Sequence, residues 1–227
     1  MWPAVITFDC YGTLVSWPET LRACFESFLP EAADVAAFHK DFGEIHTQLR
    51  AGPYRPYTEL LRLALERTMT KWEIPGVPKA QEEFLRIIRA IPPYPDVVPV
   101  LKDLKKDASR LAIISNTEDE LIAETVRGLQ VQFEVITAQQ ARAYKPDHRL
   151  FAFAFERLGV SSADVLHVGA GYATDIVPSF ELGLSRIWIN RRGEQMDVTK
   201  PPTAELPDLS GLAACVSSLR DNRSRRT

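Results

Sequence analysis

Four short stretches of the sequence place polar side chains after apolar runs or in the loops that follow them. They are FDCYGTL with Asp9, IISNTED with Ser115, AYKPDHRLF with Lys145, and VGAGYATD, which ends at Asp175. An aspartate that a nearby cation keeps ionised is a competent nucleophile, and Lys145 can supply that cation. Each stretch alone also fits an ordinary turn or helix cap, because Asp, Gly, Ser and Asn dominate such positions. Together they favour one catalytic site.

The other polar residues of these stretches have simple roles in such a site. Thr13 and Ser115 can hydrogen-bond the non-attacking oxygens or a carboxylate of the substrate, and Asp175 can orient Lys145 or position a water. Asn116 can hold a departing anion through its amide or cap the following helix, and both interpretations stay open. The predicted catalytic residues are Asp9, Thr13, Ser115, Lys145 and Asp175.

The apolar runs before these stretches have the composition of buried parallel strands, without strict alternation of apolar and polar residues. Patterns with helical spacing lie between the later runs, and each has a glycine at or directly after its end: Gly128, Gly159 and Gly183. This alternation predicts an α/β fold with a doubly wound parallel sheet. The strands are predicted at 4–8, 111–115, 133–138, 165–170 and 186–190, and the helices at 118–129, 148–158 and 176–182.

The first half of the chain breaks this alternation. From about residue 18 to residue 89, segments with helical period follow one another without a convincing strand, and a proline-rich stretch at 92–96 ends the region. Ligands of open α/β sheets bind at the carboxyl ends of the strands, which is the edge where this region leaves the sheet. We therefore predict residues 16–92 as an inserted helical cap domain, and residues 1–15 and 93–227 as the core domain.

The order and spacing of the four stretches resemble those of a known family. The chain is similar to the haloacid dehalogenase superfamily, and within it to the L-2-haloacid dehalogenase-like branch, over nearly its whole length before the tail. In the cap region the match is limited to helical character. The resemblance implies a Rossmann-like core, an all-helical cap over the active site, and Asp9 as the nucleophile.

Two positions bear on the leaving group. Phosphatases of this superfamily carry an acid two residues after the nucleophile, which protonates an alkoxide, and hold Mg²⁺ with acids of the fourth stretch. This chain has Tyr11 and Ala170 at those positions. A halide leaves without a proton, and a 2-haloacid carries one charge that side chains can bind. The resemblance therefore implies carbon–halogen cleavage without a metal or cofactor, with Tyr11 in contact with the substrate.

We expect hydrolysis of small L-2-haloacids to 2-hydroxy acids through an aspartyl ester on Asp9. One alternative is a Mg²⁺-dependent phosphatase of the same superfamily acting on a small phosphate ester, with Asp9 and Asp175 as metal ligands. The other alternative is a catalytically weak binding homologue. Each remains compatible with the residues discussed so far.

The cap and the third stretch depart from the family pattern. Related dehalogenases place a cap arginine against the halide or the substrate carboxylate, and alignment of the apolar patterns brings Lys40 to that position. A solvated helix residue is an equal interpretation of Lys40, and Arg50 is the second candidate for the anion contact. We predict Tyr11, Asn116, Lys40 and Arg50 as substrate-binding residues. Phe151 replaces a family tyrosine, so that hydroxyl contact is lost.

Composition restricts the partners. The chain has 227 residues, of which 45% are hydrophobic and 25% charged, and its net charge of −3 offers no basic field for nucleic acid or a membrane surface. We expect the basic end, RDNRSRRT, to be a solvated and frayed tail. The expected partner is a small anionic molecule, and the apolar cap helices make a homodimer reasonable.

The remaining signals concern location and packing. No apolar run approaches the roughly 20 residues of a membrane span, and no signal-peptide pattern is visible. The three cysteines, Cys10, Cys24 and Cys215, are widely separated and fit reduced thiols, so we expect a cytoplasmic protein. Cys10 and His167 are expected to be packed core residues rather than catalytic groups.

Overall fold

A computed structural model describes residues 2–107 and 110–225. Six strands form in these ranges: Val5–Phe8 (β1), Leu111–Ser115 (β2), Glu134–Thr137 (β3), Val165–Gly169 (β4), Ser185–Ile189 (β5) and Ala204–Leu206 (β6). They make one parallel sheet in the order β3–β2–β1–β4–β5–β6. The order reverses between β1 and β4, where such sheets form a crevice at their carboxyl ends. The predicted doubly wound α/β fold is confirmed.

Ten α-helices form in the described ranges. They are Trp17–Phe28 (α1), Val35–Arg50 (α2), Tyr57–Lys71 (α3), Val77–Ile88 (α4), Val97–Lys106 (α5), Asp119–Gly128 (α6), Ala138–Ala141 (α7), His148–Leu158 (α8), Val177–Glu181 (α9) and Leu212–Ser224 (α10). A π-helical turn, Tyr172–Ile176, follows β4. Among the described residues, no helix is both long and apolar enough to span a bilayer.

The three central strands explain why the sequence shows no alternation. Every residue of β1, β2 and β4 is buried, as expected for a parallel sheet that is covered on both faces. Apolar side chains therefore occupy both faces, and polar side chains are concentrated where the strands end.

Helices α1 to α4 follow β1 consecutively and pack against one another. An aromatic cluster lies at their centre, where the Phe25 ring is 5.0 Å from Phe38 and 5.2 Å from Phe42. Side-chain hydrogen bonds join this cap region to the core: Thr58 Oγ1 donates to Glu118 Oε2 at 3.0 Å, Tyr144 Oη to the Arg55 carbonyl oxygen at 2.8 Å, and Tyr94 Oη to Glu19 Oε2 at 2.8 Å. The insertion is helical, as predicted, whereas its division into a separate domain stays a prediction.

Strand β3 is shorter than the predicted strand 133–138. Thr137 ends β3, and its hydroxyl accepts a hydrogen bond from the Gln140 backbone N–H at 3.3 Å, which begins α7 at Ala138. Threonine is a favoured N-cap, so the apolar run changes from strand to helix at this residue.

The C-terminal segment differs from the expectation of a frayed tail. Helix α10 continues to Ser224: Leu212 and Val216 are buried on one of its faces, Leu219 packs partly buried against the core, and Arg223 lies 4.9 Å over the Trp2 ring. Residues 226 and 227 of that predicted tail lie outside the described residues.

Candidate active site

The four sequence stretches meet at one cavity of about 140 Å³. Asp9 follows β1, Ser115 ends β2, Lys145 lies in the loop before α8, and Asp175 lies in the π-helical turn after β4. The core also contributes Tyr11, Asn116, Gly171 and Thr174 to the walls, and the cap helices contribute Trp17, His46, Arg50 and Tyr57. The carboxyl edge of the sheet thus forms one wall and the cap the other.

Lys145 is buried between the two acids of the site. Its Nζ donates to Asp9 Oδ1 at 2.8 Å, to Asp175 Oδ1 at 2.6 Å and to the carbonyl oxygen of Ile114 at 2.8 Å. These bonds use all three ammonium hydrogens. The Lys145 side chain is 1% exposed, and a charge buried so deeply needs such partners. Lys145 is therefore an internal counter-ion and not a surface salt bridge.

The charges of this triad shift one another's titration. Burial raises the pKa of Asp9 above its ordinary value, although the Lys145 ammonium opposes this. Burial alone would lower the pKa of Lys145, but Asp175 and Asp9 outweigh it and raise that pKa. Burial likewise acts upward on Asp175, yet Lys145 and His167 hold its pKa below its ordinary value. Two carboxylates and one ammonium leave one negative charge, so an anionic ligand needs a further cation.

Thr13 fixes the orientation of Asp9. Its Oγ1 donates to Asp9 Oδ2 at 2.7 Å and accepts from the backbone N–H of Ala170 at 2.8 Å. Thr13 is fully buried and is not part of the cavity wall. It therefore holds the second oxygen of Asp9, one of the two roles predicted from the sequence, and lies behind the cavity wall.

Hydrogen bonds from its own turn fix the position of Asp175. Its Oδ2 accepts from the Gly171 N–H and from Thr174 Oγ1, both at 3.1 Å. A Cβ atom at Gly169 would lie 2.6 Å from the Asp175 Cβ atom, so glycine is required there for the carboxylate to approach the backbone. Each Asp175 oxygen has two polar neighbours, whereas each Asp9 oxygen has one side-chain donor, so Asp175 orients Lys145.

His167 supports Asp175 from within the sheet. The His167 Nε2 atom lies 3.3 Å from Asp175 Oδ1, and Nδ1 lies 2.9 Å from Thr7 Oγ1. His167 is fully buried, as predicted for a packed core histidine. Phe151 packs its ring edge-on against His167, with ring centroids 5.3 Å apart, and does not reach the cavity.

Asn116 holds the loop that carries Lys145. Its Oδ1 accepts from the Lys145 backbone N–H at 2.7 Å, and its Nδ2 donates to the Lys145 carbonyl oxygen at 3.0 Å. Asn116 does not cap α6, whose N-cap is Glu118. The helix-cap interpretation is therefore wrong, and the second amide hydrogen of Asn116 remains for a ligand.

Three buried polar atoms of the cavity walls have no hydrogen-bond partner among the described residues: Tyr11 Oη, Ser115 Oγ and His46 Nε2. A buried polar group without a partner is costly, and a ligand in the cavity would supply one. Tyr11 also lines the cavity, with its ring 5.2 Å from that of Trp17. Burial raises the pKa of the Tyr11 hydroxyl well above its usual range, so it keeps its proton and is a poor general acid.

The structure corrects the prediction for Lys40. Its side chain is 77% exposed, and its Nζ lies 3.8 Å from Glu44 Oε1, so Lys40 is not part of the cavity. At about 100° per residue, Lys40 projects from α2 roughly 120° away from His46 and 80° away from Arg50. Arg50, the second candidate, lines the cavity and forms no ion pair within the described residues.

The donor set does not fit a divalent cation. Both oxygens of Asp175 and both of Asp9 already accept hydrogen bonds, and the ammonium of Lys145 lies between the two carboxylates. In the part of the chain that the structure describes, no three His, Cys, Asp or Glu side chains are grouped to hold a metal. Asp9 and Asp175 thus form a counter-ion site for a lysine, whereas Mg²⁺ requires several free oxygen ligands.

A family model for haloacid dehalogenase-like hydrolases matches residues 3–178, which include all four stretches. The chain belongs to this family. Among its relatives, the haloacetate dehalogenase H-2 of Moraxella sp. strain B is 29% identical over 85% of this chain and 88% of its own length. An (S)-2-haloacid dehalogenase of Pseudomonas sp. strain YL is 26% identical over 83% of each chain.

Solved structures agree with the fold of this haloacid dehalogenase-like hydrolase. The L-2-haloacid dehalogenase RSc1362 superposes with a TM-score of 0.82 at 24% identity, over 94% of this chain and 98% of the other. The L-2-haloacid dehalogenase of Xanthobacter autotrophicus gives 0.82 at 20% identity, over 96% and 99%. At these identities the likeness shows the shared fold.

Five wall residues were missed by sequence reasoning: Trp17, His46, Tyr57, Gly171 and Thr174. Thr174 directly precedes Asp175 and carried a usable signal, because the fourth stretch was already assigned to the site. The three cap residues lie in apolar stretches of helical period, where aromatic and histidine side chains are indistinguishable from core residues.

Proposed function

We propose that this hydrolase converts small L-2-haloacids to 2-hydroxy acids through an ester on Asp9. One observation carries the proposal: Asp9 faces a small cavity with Oδ1 on the buried Lys145 ammonium and Oδ2 on the Thr13 hydroxyl. The ammonium favours the ionised carboxylate against the effect of burial, and the two donors aim it, as a nucleophile requires. The two relatives, a haloacetate dehalogenase and an (S)-2-haloacid dehalogenase, support the same substrate class.

The first step is a displacement at C2 of the substrate. An Asp9 oxygen donates its lone pair to C2 as the carbon–halogen bond breaks, and the halogen leaves with that bond's electron pair as a halide ion. The centre is inverted and an aspartyl ester remains. The substrate carboxylate would meet the free Ser115 hydroxyl, the Asn116 amide and the Arg50 guanidinium, and Arg50 compensates the excess negative charge of the site.

The second step is hydrolysis of the ester. Water adds to the carboxyl carbon of Asp9, and the bond between that carbon and the ester oxygen breaks. One water proton passes to the departing oxygen, which becomes the hydroxyl of the product, and the other is released to solvent as Asp9 returns to a carboxylate. The product therefore keeps an oxygen that belonged to Asp9, while the water oxygen enters the side chain. Lys145 and Thr13 donate hydrogen bonds to the Asp9 oxygens and would stabilise the negative charge of the tetrahedral intermediate.

The two alternatives have less support. A phosphatase needs a general acid beside the nucleophile and a metal site. The raised pKa of Tyr11 makes its hydroxyl a poor proton donor, and both carboxylates are hydrogen-bonded to Lys145. A catalytically retired homologue has no physical need for a buried lysine that costs desolvation free energy unless the charge is used.

Halide release tests the proposal directly. Purified protein is offered chloroacetate, bromoacetate and both enantiomers of 2-chloropropionate, and the free halide is measured. A parallel assay measures p-nitrophenyl phosphate hydrolysis with and without Mg²⁺. We expect halide from the L enantiomer and the haloacetates. Turnover of the phosphate ester with no halide from any haloacid would instead support the phosphatase.

A single turnover in ¹⁸O-labelled water tests the ester. With enzyme in excess over substrate, we expect the first 2-hydroxy acid to carry no label and the peptide containing Asp9 to gain one ¹⁸O atom. A general-base mechanism, in which water attacks C2 directly, would label the product in the first turnover and leave Asp9 unlabelled.

Arg50 is expected to be the cap cation for the substrate anion. Replacement by methionine keeps much of the side-chain volume but removes the charge, so we expect KM for a 2-haloacid to rise about tenfold to a hundredfold. The matched control is Lys40→Met on the same helix, which should leave KM within about twofold because an exposed pair with Glu44 contributes little. If Lys40→Met raises KM more than Arg50→Met does, Lys40 and not Arg50 contacts the substrate anion.

A further inference from the structure

His46 has no role in the steps above, yet it lies in the active-site wall. It is 9% exposed, its Nε2 is buried without a hydrogen-bond partner among the described residues, and it lines the same cavity as Asp9. Neighbouring rings fix its orientation: Phe42 is parallel to it at 5.9 Å, and Tyr57 meets it edge-on at 5.4 Å. A polar atom held in this way is prepared for a ligand.

The imidazole is a neutral donor. Burial, assisted by the charge of Arg50, lowers the pKa of His46 to about 3, so the ring is uncharged at neutral pH. A neutral imidazole carries one N–H, which can reside on the unpaired Nε2. It can therefore donate one hydrogen bond without adding a second full charge beside Arg50.

The direction of the displacement identifies what His46 faces. In an in-line displacement the leaving group departs on the side of C2 opposite the nucleophile. Asp9 belongs to the wall formed by the strand ends, and the opposite wall is formed by Trp17, His46, Arg50 and Tyr57. With Arg50 engaged by the substrate carboxylate, the departing halogen meets aromatic rings and the imidazole.

We propose that His46 donates its Nε2–H to the departing halogen and thereby sets the leaving-group preference of the enzyme. The inference rests on the proposed dehalogenation. No proton is transferred: Asp9 supplies the electron pair of the new bond, the halogen takes that of the old one, and His46 keeps its hydrogen. The rings around it suit a weakly hydrated ion, because aromatic edges carry partial positive charge.

The contact has a consequence that packing alone would not produce. Hydrogen-bond acceptance by the halogen increases from bromide to chloride to fluoride, whereas leaving-group ability decreases in the same order. A donor at the halogen therefore matters most for fluorinated substrates and least for brominated ones. A residue that only packs against its neighbours affects all three alike.

The test measures ester formation in single turnovers with 2-bromo-, 2-chloro- and 2-fluoropropionate. His46→Phe keeps an aromatic ring but removes the donor, and we expect the fluoride rate to fall about a hundredfold and the bromide rate no more than about threefold. His46→Gln places an amide N–H near the Nε2 position and should recover part of the fluoride rate. Phe42→Leu, which disturbs the same packing, should change the three rates by similar factors.

The outcomes separate this inference from the function on which it rests. If His46→Phe lowers the rates for all three halogens equally, the proposed contact is wrong while dehalogenation stands. The same holds if His46→Gln does not recover the fluoride rate more than the bromide rate. Wild-type protein that releases no halide from any substrate would overturn both. If the fluorinated substrate reacts too slowly in the wild type, the chloride-to-bromide ratio must fall in His46→Phe for the inference to hold.

Discussion

Replacement of Asp9 by asparagine is expected to lower kcat/KM for a 2-haloacid by at least about ten-thousandfold, because the amide oxygen is a far weaker nucleophile than a carboxylate. Asp9 and Asp175 both line the cavity and pair with Lys145, but the Asp9 side chain is 10% exposed and that of Asp175 only 1%. The measurement is halide release from 2-bromopropionate, followed long enough to detect a single turnover per active site.

The loss should occur without loss of the fold. Asparagine keeps an acceptor oxygen for Lys145 and fills nearly the same volume, so the unfolding temperature should change by only a few degrees. The matched control is Asp197→Asn, the same chemical change at an exposed acid, for which we expect a rate within about twofold of the wild type. An Asp9→Asn variant that still releases halide at a tenth of the wild-type rate would show that Asp9 is not the nucleophile.

The core half of the site was predictable because of the sheet. Parallel strands end at one edge, so Asp9 and Ser115, which directly follow or end apolar runs, had to lie near each other. Lys145 and Asp175 were predicted on the same basis, and the structure brings all four to one cavity. What the sequence did not reveal is the hydrogen bonding: that Asn116 holds the backbone of Lys145, or that Asp175 is saturated by its own turn.

The cap half depends on helix phase, where an error of one residue turns a side chain by about 100°. Alignment by apolar pattern chose Lys40, and the structure places Arg50 in the wall instead. The usable signal was a stripe at four-residue spacing: Phe38, Phe42, His46 and Arg50 lie along one face of α2. The stripe changes from apolar to polar toward the C-terminal end of α2. The apolar residues pack inside the cap, and the polar residues line the cavity.

Strand β6 shows a different limit. It has only three residues, between proline-containing segments, and its apolar content is too low for a pattern to be visible. It forms because Ala204–Leu206 pairs with the edge of β5, with Ile189 opposite Leu206. Pairing with an existing strand, and not local preference, creates this element.

Replacement of Lys145 by methionine is expected to have the second largest effect on rate and the largest effect on stability. Without the ammonium, Asp9 and Asp175 are two buried acids with no counter-charge, and one of them must take up a proton. We expect the free energy of unfolding at pH 7 to fall by about 3–5 kcal/mol, as when one partner of a buried ion pair is removed. Because the pKa of Lys145 is raised in the folded protein, its pairing contributes fully at pH 7 and is lost only as the pH rises through that raised value.

The rate and the stability can be separated by a second substitution. In Lys145→Met with Asp175→Asn, only Asp9 remains charged, so we expect much of the lost stability to return in urea unfolding. The rate of halide release should stay at least about a thousandfold below the wild type, since no cation holds Asp9 ionised and aimed. Recovery of both quantities together would mean that Lys145 serves only to neutralise Asp175, and that Asp9 needs no cation to act.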